Sequence, residues 1–237
     1  MNGTLFIVAT PIGNMQDISL RAVKTLLSSE VIACEDTRRA GLLLQKVREL
    51  VPGFPETKQR LISYYDQVEQ QKTPEILQLL AQGINVALIS DAGTPLVSDP
   101  GFRVVREAVS NGFHVESLPG ASAVITALTV SGLPTDKFFF IGYLPKKEGH
   151  RKELLDNVKN LTGQLKTTII FFEAPHRIKG TLEELLETYG KDKHVVVARE
   201  LTKVYEEVRR GSVSELLEHF KKTEPKGEFV VLFNTED

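Results

Sequence analysis

Five times in the first 118 residues a short apolar run ends in a polar or Gly/Pro-bearing turn. A stretch long enough for a helix follows each of the first four. Leu5-Phe6-Ile7-Val8-Ala9 closes at Thr10-Pro11-Ile12-Gly13-Asn14 and reads as a buried strand and its turn. Ser19 is placed to cap a helix whose apolar stripe is Leu20, Val23, Leu26 and Leu27. Val31 to Cys34 is a second strand, followed by a helix holding Leu42, Leu43 and Leu44. Leu61 to Tyr65 is a third strand, and Pro74 suits the first turn of a helix running to Ala81 and stopped by Gly83. Val86 to Ser90, a helix over Phe102 to Ser110, and a strand from His114 to Leu118 complete the series. Strands that are apolar throughout, alternating with helices, imply a parallel sheet covered on both faces.

Pro119-Gly120 breaks this rhythm. Beyond it the spacing predicts helices over Ala121 to Val130, Glu148 to Leu161, His176 to Tyr189 and Val213 to Phe220. Strands are expected at Phe138 to Tyr143, Thr168 to Phe172, Val195 to Ala198, Tyr205 to Val208 and Phe229 to Phe233. More strands per helix imply a mixed sheet. The expectation is therefore an α/β protein of two domains, residues 1–118 with a parallel sheet and residues 119–237 with a mixed one.

Composition narrows the function classes. A chain of 237 residues with 41% apolar and 25% charged residues can bury a core without staples. A formal net charge of −2 means that any nucleic-acid site must be a local basic patch. Cys34 is the lone cysteine, so no intramolecular disulfide or multi-cysteine zinc site is available, as suits a reducing compartment. The five histidines lack metal-ligand spacing, and no metal is expected. No apolar run reaches the roughly 18 residues of a membrane span, and the N-terminus lacks a basic leader, so the expectation is a cytoplasmic protein with no membrane association.

In open parallel sheets ligands bind beyond the carboxyl ends of the strands. The unusual residues gather there: Thr10 to Asn14, Glu35-Asp36-Thr37-Arg38, Asp91-Ala92-Gly93-Thr94-Pro95 and Pro119-Gly120-Ala121-Ser122-Ala123. Strand-to-helix turns favour Gly, Pro, Asp and Ser for structural reasons alone, but four such loops on one edge point to a binding site. The first turn is not Gly-x-Gly-x-x-Gly, and neither a P-loop nor a Gly-x-Ser-x-Gly elbow occurs.

Together with Gly132 to Asp136, Phe172 to Arg177, Ala198 to Lys203 and Gly227-Glu228, these loops resemble, in order along the chain, the tetrapyrrole methylase superfamily. Within it they look like the members that methylate small-subunit ribosomal RNA. The resemblance implies two α/β domains of the tetrapyrrole methylase type with S-adenosyl-L-methionine in the cleft between them, in a homodimer. It implies methyl transfer to the 2′-hydroxyl of a cytidine ribose, cytidine 1402, in the decoding region of 16S rRNA within the 30S subunit. The cofactor cradle it implies is Pro11, Asp91, Gly93, Thr94, Pro95 and Val97, then Ala121, Ser122 and Ala123, with Phe172, Ala198, Glu228 and Phe229 from the second domain.

For catalysis, Glu35, Asp36 and Arg38 follow the second strand at the ligand edge. Asp36 could accept the hydroxyl proton while Arg38 holds a phosphate. The alternatives are an Asp–Arg pair that only pins the loop, Glu173 or Glu200 as base, and transfer driven by alignment alone. RNA would be met by Arg38, Arg39, Lys146, Lys147, Arg151, Lys152 and Arg177, with Tyr64, Tyr65 and Tyr143 able to stack on a splayed base. A tetrapyrrole or corrin methylase and a non-catalytic nucleotide-binding assembly module are the rival functions.

Overall fold

The computed structural model describes residues 1–55, 57–162 and 165–236, and the chain divides into two compact units, Met1–Ser122 and Ala123–Asp237. In the first unit β1 (Thr4–Val8), α1 (Leu20–Ser28), β2 (Val31–Cys34), α2 (Thr37–Leu50) and β3 (Arg60–Ser63) come first. Then follow α3 (Glu69–Ala81), β4 (Val86–Ile89), α4 (Phe102–Ser110) and β5 (His114–Leu118). The strands lie in the order β3-β2-β4-β1-β5, every pair parallel. Val23, Leu26 and Leu27 of α1 and Leu44 and Val47 of α2 pack on Ile32, Ala87 and Ile89. Ile76 and Leu80 of α3 and Val104 of α4 pack on Leu5, Val31 and Leu88, which are turned to the other face. Burial on both faces is why these strands read as continuous apolar runs. The chain reverses direction across the sheet after β3, so the loops leaving the neighbours β1 and β4 turn to opposite faces and open a crevice at their carboxyl ends.

Two expectations are corrected here. Pro74 lies well inside α3, not in its first turn, because the helix begins at Glu69. The Tyr65 carbonyl accepts from Glu69 N–H and the Val68 carbonyl from Gln71 and Lys72, while the Thr73 hydroxyl donates to the Glu69 carbonyl at 2.8 Å. Proline removes a single N–H, and this network with the buried Thr73 and Ile76 outweighs it. Tyr64 is fully buried, its hydroxyl 3.0 Å from Thr73 Oγ1 and donating to Glu69 Oε1 at 3.1 Å, so it cannot stack on a base.

The second unit holds α5 (Ala123–Ser131), β6 (Phe138–Tyr143), α6 (Glu148–Thr162), β7 (Thr168–Glu173) and α7 (Ile178–Tyr189). It continues with β8 (His194–Arg199), β9 (Glu207–Ser212), α8 (Val213–Lys222) and β10 (Phe229–Asn234). The strand order is β6-β7-β10-β8-β9, with β6 and β7 parallel and the other pairs antiparallel, the mixed sheet that the strand-rich second half predicts. Leu155, Leu182, Leu185, Leu216 and Phe220 of α6, α7 and α8 cover one face, over Phe171, Val197 and Val231. The other face carries α5. α8 starts with a capping box, the Ser212 hydroxyl accepting from Glu215 N–H while Glu215 returns a bond to Ser212 N–H.

The strand expected at Tyr205 to Val208 is displaced. Val204 and Tyr205 form an exposed turn, and β9 begins at Glu207. β9 is an edge strand, charged as edges commonly are, with Glu207 paired to Arg199 at 3.3 Å and to Arg209 at 2.5 Å. α7 starts at Ile178, after the turn that carries His176 and Arg177.

Candidate active site

In the first unit three of the loops at the carboxyl edge are tied into one surface. Thr10 and Gly93 exchange backbone bonds, Thr10 N–H to the Gly93 carbonyl at 2.8 Å and Gly93 N–H to the Thr10 carbonyl at 3.1 Å. The Thr10 hydroxyl donates to the Ser90 carbonyl at 3.2 Å, and the Thr94 hydroxyl to the Ala121 carbonyl at 3.0 Å. The ends of β1, β4 and β5 are thereby fixed against one another. Gly93 has φ +87, a left-handed conformation that favours glycine, and an added β-carbon would sit 3.3 Å from Ile12 Cγ2. Leu96 and Ser98 are also left-handed without being glycine, with φ 72 and 65. Strain of this kind, about 1–3 kcal/mol for each residue, concentrates at ligand-binding loops. Pro95 is buried beneath this loop and Val97 is exposed on it.

Acidic groups crowd the same edge. Glu35 is half-buried and accepts from Asp91 N–H at 3.2 Å. Burial first, and then the charges of Asp99, Asp91 and Asp66, push its carboxyl above the ordinary value. Asp99 is raised for the same reasons, burial first, then Asp91 and Asp66. Cys34 is pushed up to about 12 by burial and by Asp91, Asp36 and Glu35, so it is a neutral thiol and not a nucleophile. Asp36 caps α2, its Oδ1 accepting from Arg38 N–H at 2.7 Å. Arg38 and Arg39 are exposed, and Arg39 reaches Asp91 at 3.1 Å. Between the loops and α2 lies a cavity of about 250 Å³ whose lining includes Thr10, Asp36, Asp91, Arg39, Leu42, Leu43 and Lys46.

Sequence reasoning missed Glu69. From α3 its Oε1 accepts from Gly101 N–H at 3.0 Å and Arg103 N–H at 3.2 Å, anchoring the start of α4. Gly101 and Arg103 lie more than thirty residues away, and no local motif announces them.

In the second unit Val230 stands opposite both Phe172 and Ala198, so these three share the face that carries α5, the helix opened by Ala123. Phe172 stacks edge-on against Phe140, ring centroids 4.9 Å apart, and lies 5.4 Å from Tyr143. The ring of Phe229 points to the opposite face, in the core against Phe220. Of Phe229, then, only the backbone stands at the strand end with Phe172 and Ala198. Ala121 and Ser122 close the first unit and are half-buried.

The loop after β8 is strained too, Glu200 at φ 50 and Thr202 at φ 65. Lys203 Nζ bridges Glu200 Oε1 at 2.8 Å and Glu228 Oε2 at 2.9 Å. Burial would raise the Glu200 carboxyl, but Lys203, the Glu228 amide and Arg199 outweigh it and hold it below its ordinary value. Glu200 is therefore a poor proton acceptor. Glu173, the other rival base, is buried and occupied: it accepts from Thr181 Oγ1 at 2.5 Å and Ala174 N–H at 2.8 Å, beside Arg177 Nε at 3.0 Å.

This network corrects part of the basic set expected to meet RNA. Arg177 also donates to the Leu144 carbonyl at 2.7 Å, and Arg151 grips the buried Glu184 through Nε at 2.8 Å and Nη2 at 2.6 Å. Both guanidinium groups are turned inward because a buried carboxylate needs a counter-charge. Lys152 pairs with Glu187 at 2.7 Å on the surface, whereas Lys146 and Lys147 stand exposed beyond β6. Among the described residues no group of His, Cys, Asp and Glu is arranged to hold a metal ion, and no helix is long and apolar enough to cross a membrane.

Comparison with known proteins agrees with this architecture. The family model described as Tetrapyrrole (Corrin/Porphyrin) Methylases matches residues 4–217. A ribosomal RNA small subunit methyltransferase I of Thermotoga maritima is 43% identical over 232 residues, 98% of each chain. The protein of that name from Mesorhizobium japonicum is 44% identical over 228 residues, 96% of this chain and 74% of its own. Among solved structures, uroporphyrin-III C-methyltransferase from Thermus thermophilus complexed with S-adenosyl homocysteine superposes with a TM-score of 0.63 at 18% identity, covering 99% of both chains. The methyltransferase CobJ gives 0.70 at 17% identity, covering 98% of this chain and 93% of its own. The chain therefore belongs to the tetrapyrrole methylase family, and within it to the ribosomal RNA small subunit methyltransferase I group.

Proposed function

We propose that this enzyme transfers a methyl group from S-adenosylmethionine to the 2′-hydroxyl of cytidine 1402 in 16S rRNA, acting on the 30S subunit as a cytoplasmic homodimer. The observation that carries this is identity of 43–44% to ribosomal RNA small subunit methyltransferase I proteins over nearly the whole chain. The residues of the carboxyl edge suit the cofactor. A sulfonium carries a positive charge, and Glu35, Asp36, Asp91 and Asp99 make this edge acidic. Gly93 also keeps the loop free of a side chain where the backbone turns. When bound, the cofactor supplies an electrophilic methyl carbon.

Gly93, Thr94, Pro95, Val97, Asp91 and Pro11 would hold it from residues 1–118. Ala121, Ser122, Ala123, Phe172, Ala198 and the backbone of Glu228-Phe229 would hold it from residues 119–237. Alignment of the ribose oxygen supplies much of the rate, about 7–11 kcal/mol where it is good. Glu35 is the better placed proton acceptor, because burial and like charges bring its carboxyl closer to the working pH. Asp36 has one oxygen committed to capping α2. Arg38, Arg39, Lys146 and Lys147 would meet phosphates, so binding to 30S-derived RNA should fall steeply with added salt.

The test is transfer of tritiated methyl to 30S subunits from cells lacking this gene, with mass mapping of the modified nucleotide. Label at the cytidine ribose is expected. Cofactor binding without transfer to rRNA would favour the assembly module, and transfer to a corrin or porphyrin instead would favour a small-molecule methylase. Thr94→Trp, which would crowd the Thr94–Ala121 contact, should abolish cofactor binding in calorimetry while the circular dichroism spectrum is kept.

A further inference from the structure

We propose that the cavity between α2 and the carboxyl ends of β1, β2 and β4 is a nucleobase pocket that receives the splayed-out target cytosine, with Asp36 selecting cytosine over uracil. The inference rests on the RNA-methylating function proposed above and names which part of the nucleotide the first unit reads. The cavity measures about 250 Å³, below the roughly 300–1,000 Å³ of pockets that enclose drug-sized ligands. It suits a single ring and not a whole nucleoside cofactor.

Its walls have the chemistry of a base site. Leu42 and Leu43 of α2 offer an apolar surface for a ring face, and Leu42 is 61% exposed although it borders a cavity. Arg39 and Lys46 stand four or fewer residues to either side of these leucines along α2, two cations that flank the apolar patch where a nucleotide's phosphates would run. Asp36, the N-cap of α2, lines the same cavity. The Arg38 amide engages Asp36 Oδ1 at 2.7 Å, which fixes the side chain and leaves Oδ2 to a ligand. A carboxylate accepts from the exocyclic N4 amino group of cytosine and repels the O4 acceptor that uracil presents at the same place. A base stacked inside an RNA helix cannot reach such a site, so the target nucleotide must be unstacked, as RNA readers commonly require. The pocket borders Asp91, which opens the loop assigned to the cofactor, so a base seated here would leave its ribose beside the methyl donor and near Glu35, whose carboxylate holds the Asp91 amide.

Asp36→Asn separates base reading from the other possible roles of this side chain. Asparagine still caps α2 by accepting from Arg38 N–H, but offers an amide donor to the pocket. Wild type and variant are assayed on 30S subunits carrying cytidine or uridine at the target, by methyl transfer and by equilibrium binding of the matching RNA hairpins. Wild type should prefer cytidine, and the variant should lose about 10–100-fold on cytidine and gain on uridine. Equal loss of transfer on both substrates with unchanged binding would make Asp36 the proton acceptor and overturn the pocket. Unchanged preference would overturn it as well. If wild type methylates neither substrate, the RNA-methylating function itself fails, and that outcome is read from the wild-type arm alone.

Discussion

The two units treat their buried carboxylates in opposite ways. In the second unit Glu173 and Glu184 each face an arginine, and Glu200 faces Lys203. At the carboxyl edge of the first, Glu35 and Asp99 face Asp91 and Asp66, and burial with these like charges raises both carboxyls. Paired charges in the second unit hold turns in place: Arg177 ties the carbonyls that end β6, and Arg151 ties those of Pro145 and Lys146. The like charges of the first unit are only partly offset, by Arg39 at Asp91 and by the Asp91 amide at Glu35. They lower stability locally and become favourable when a cation arrives, which is the behaviour of a site prepared for a positively charged ligand.

Removing a partner should hurt most where charges are paired. Glu184→Ala leaves Arg151 buried without its carboxylate and should cost about 3–5 kcal/mol in urea unfolding. Glu35→Ala should cost far less. Comparable losses in the two variants would erase the contrast between the units.

The glycines at the two strained loops sharpen the comparison at intermediate size. Gly227 has φ +94, and a β-carbon there would come 2.5 Å from Glu200 Cγ, displacing the Glu200–Lys203 pair. Gly227→Ala should therefore lose about 2–3 kcal/mol from backbone strain and a broken contact together. Gly93→Ala, also left-handed at φ +87 but with its nearest neighbour at 3.3 Å, should lose less, about 1–2 kcal/mol, while its affinity for S-adenosylmethionine falls. Calorimetry and denaturant titration on both variants would check this. A larger stability loss at Gly93 than at Gly227 would show that the first loop is structural.

Much of this was legible in the sequence. The parallel sheet followed from strands apolar along their whole length, and the carboxyl-edge loops from Gly93, Thr94 and Thr10 standing where such strands end. What was illegible depends on partners distant in the chain. Arg151 and Arg177 look like surface cations until Glu184 and Glu173 are seen beneath them, and Glu69 looks like a helix-surface acid until it meets Gly101. β9 was expected too early, at Tyr205 to Val208, because an edge strand reading Glu-Val-Arg-Arg-Gly-Ser shows no apolar alternation, whereas the Val204-Tyr205 turn before it does look β-prone. Pro74 misled because its helix gains from Tyr64 and Thr73 more than proline takes away.

The smallest expected effect tests the like-charge edge most directly. A carboxyl raised in the folded state binds more protons there than in the unfolded chain, between its ordinary and its raised pKa. Stability contributed by Glu35 is therefore present at low pH and is lost as pH rises through the raised value. Glu35→Gln can still accept from Asp91 N–H but carries no charge. At pH 7 the variant should melt about 2 °C above wild type. Below about pH 4, where wild-type Glu35 is also protonated, the two midpoints should coincide. Bound S-adenosylmethionine should shrink the gap at pH 7, since the sulfonium would offset in wild type the repulsion that glutamine removes. A variant less stable than wild type at pH 7 would mean that Glu35 is held by a favourable contact and that the edge is not electrostatically strained. A gap unaffected by cofactor would place the sulfonium away from Glu35, and with it the acidic edge would lose its claim to attract the donor.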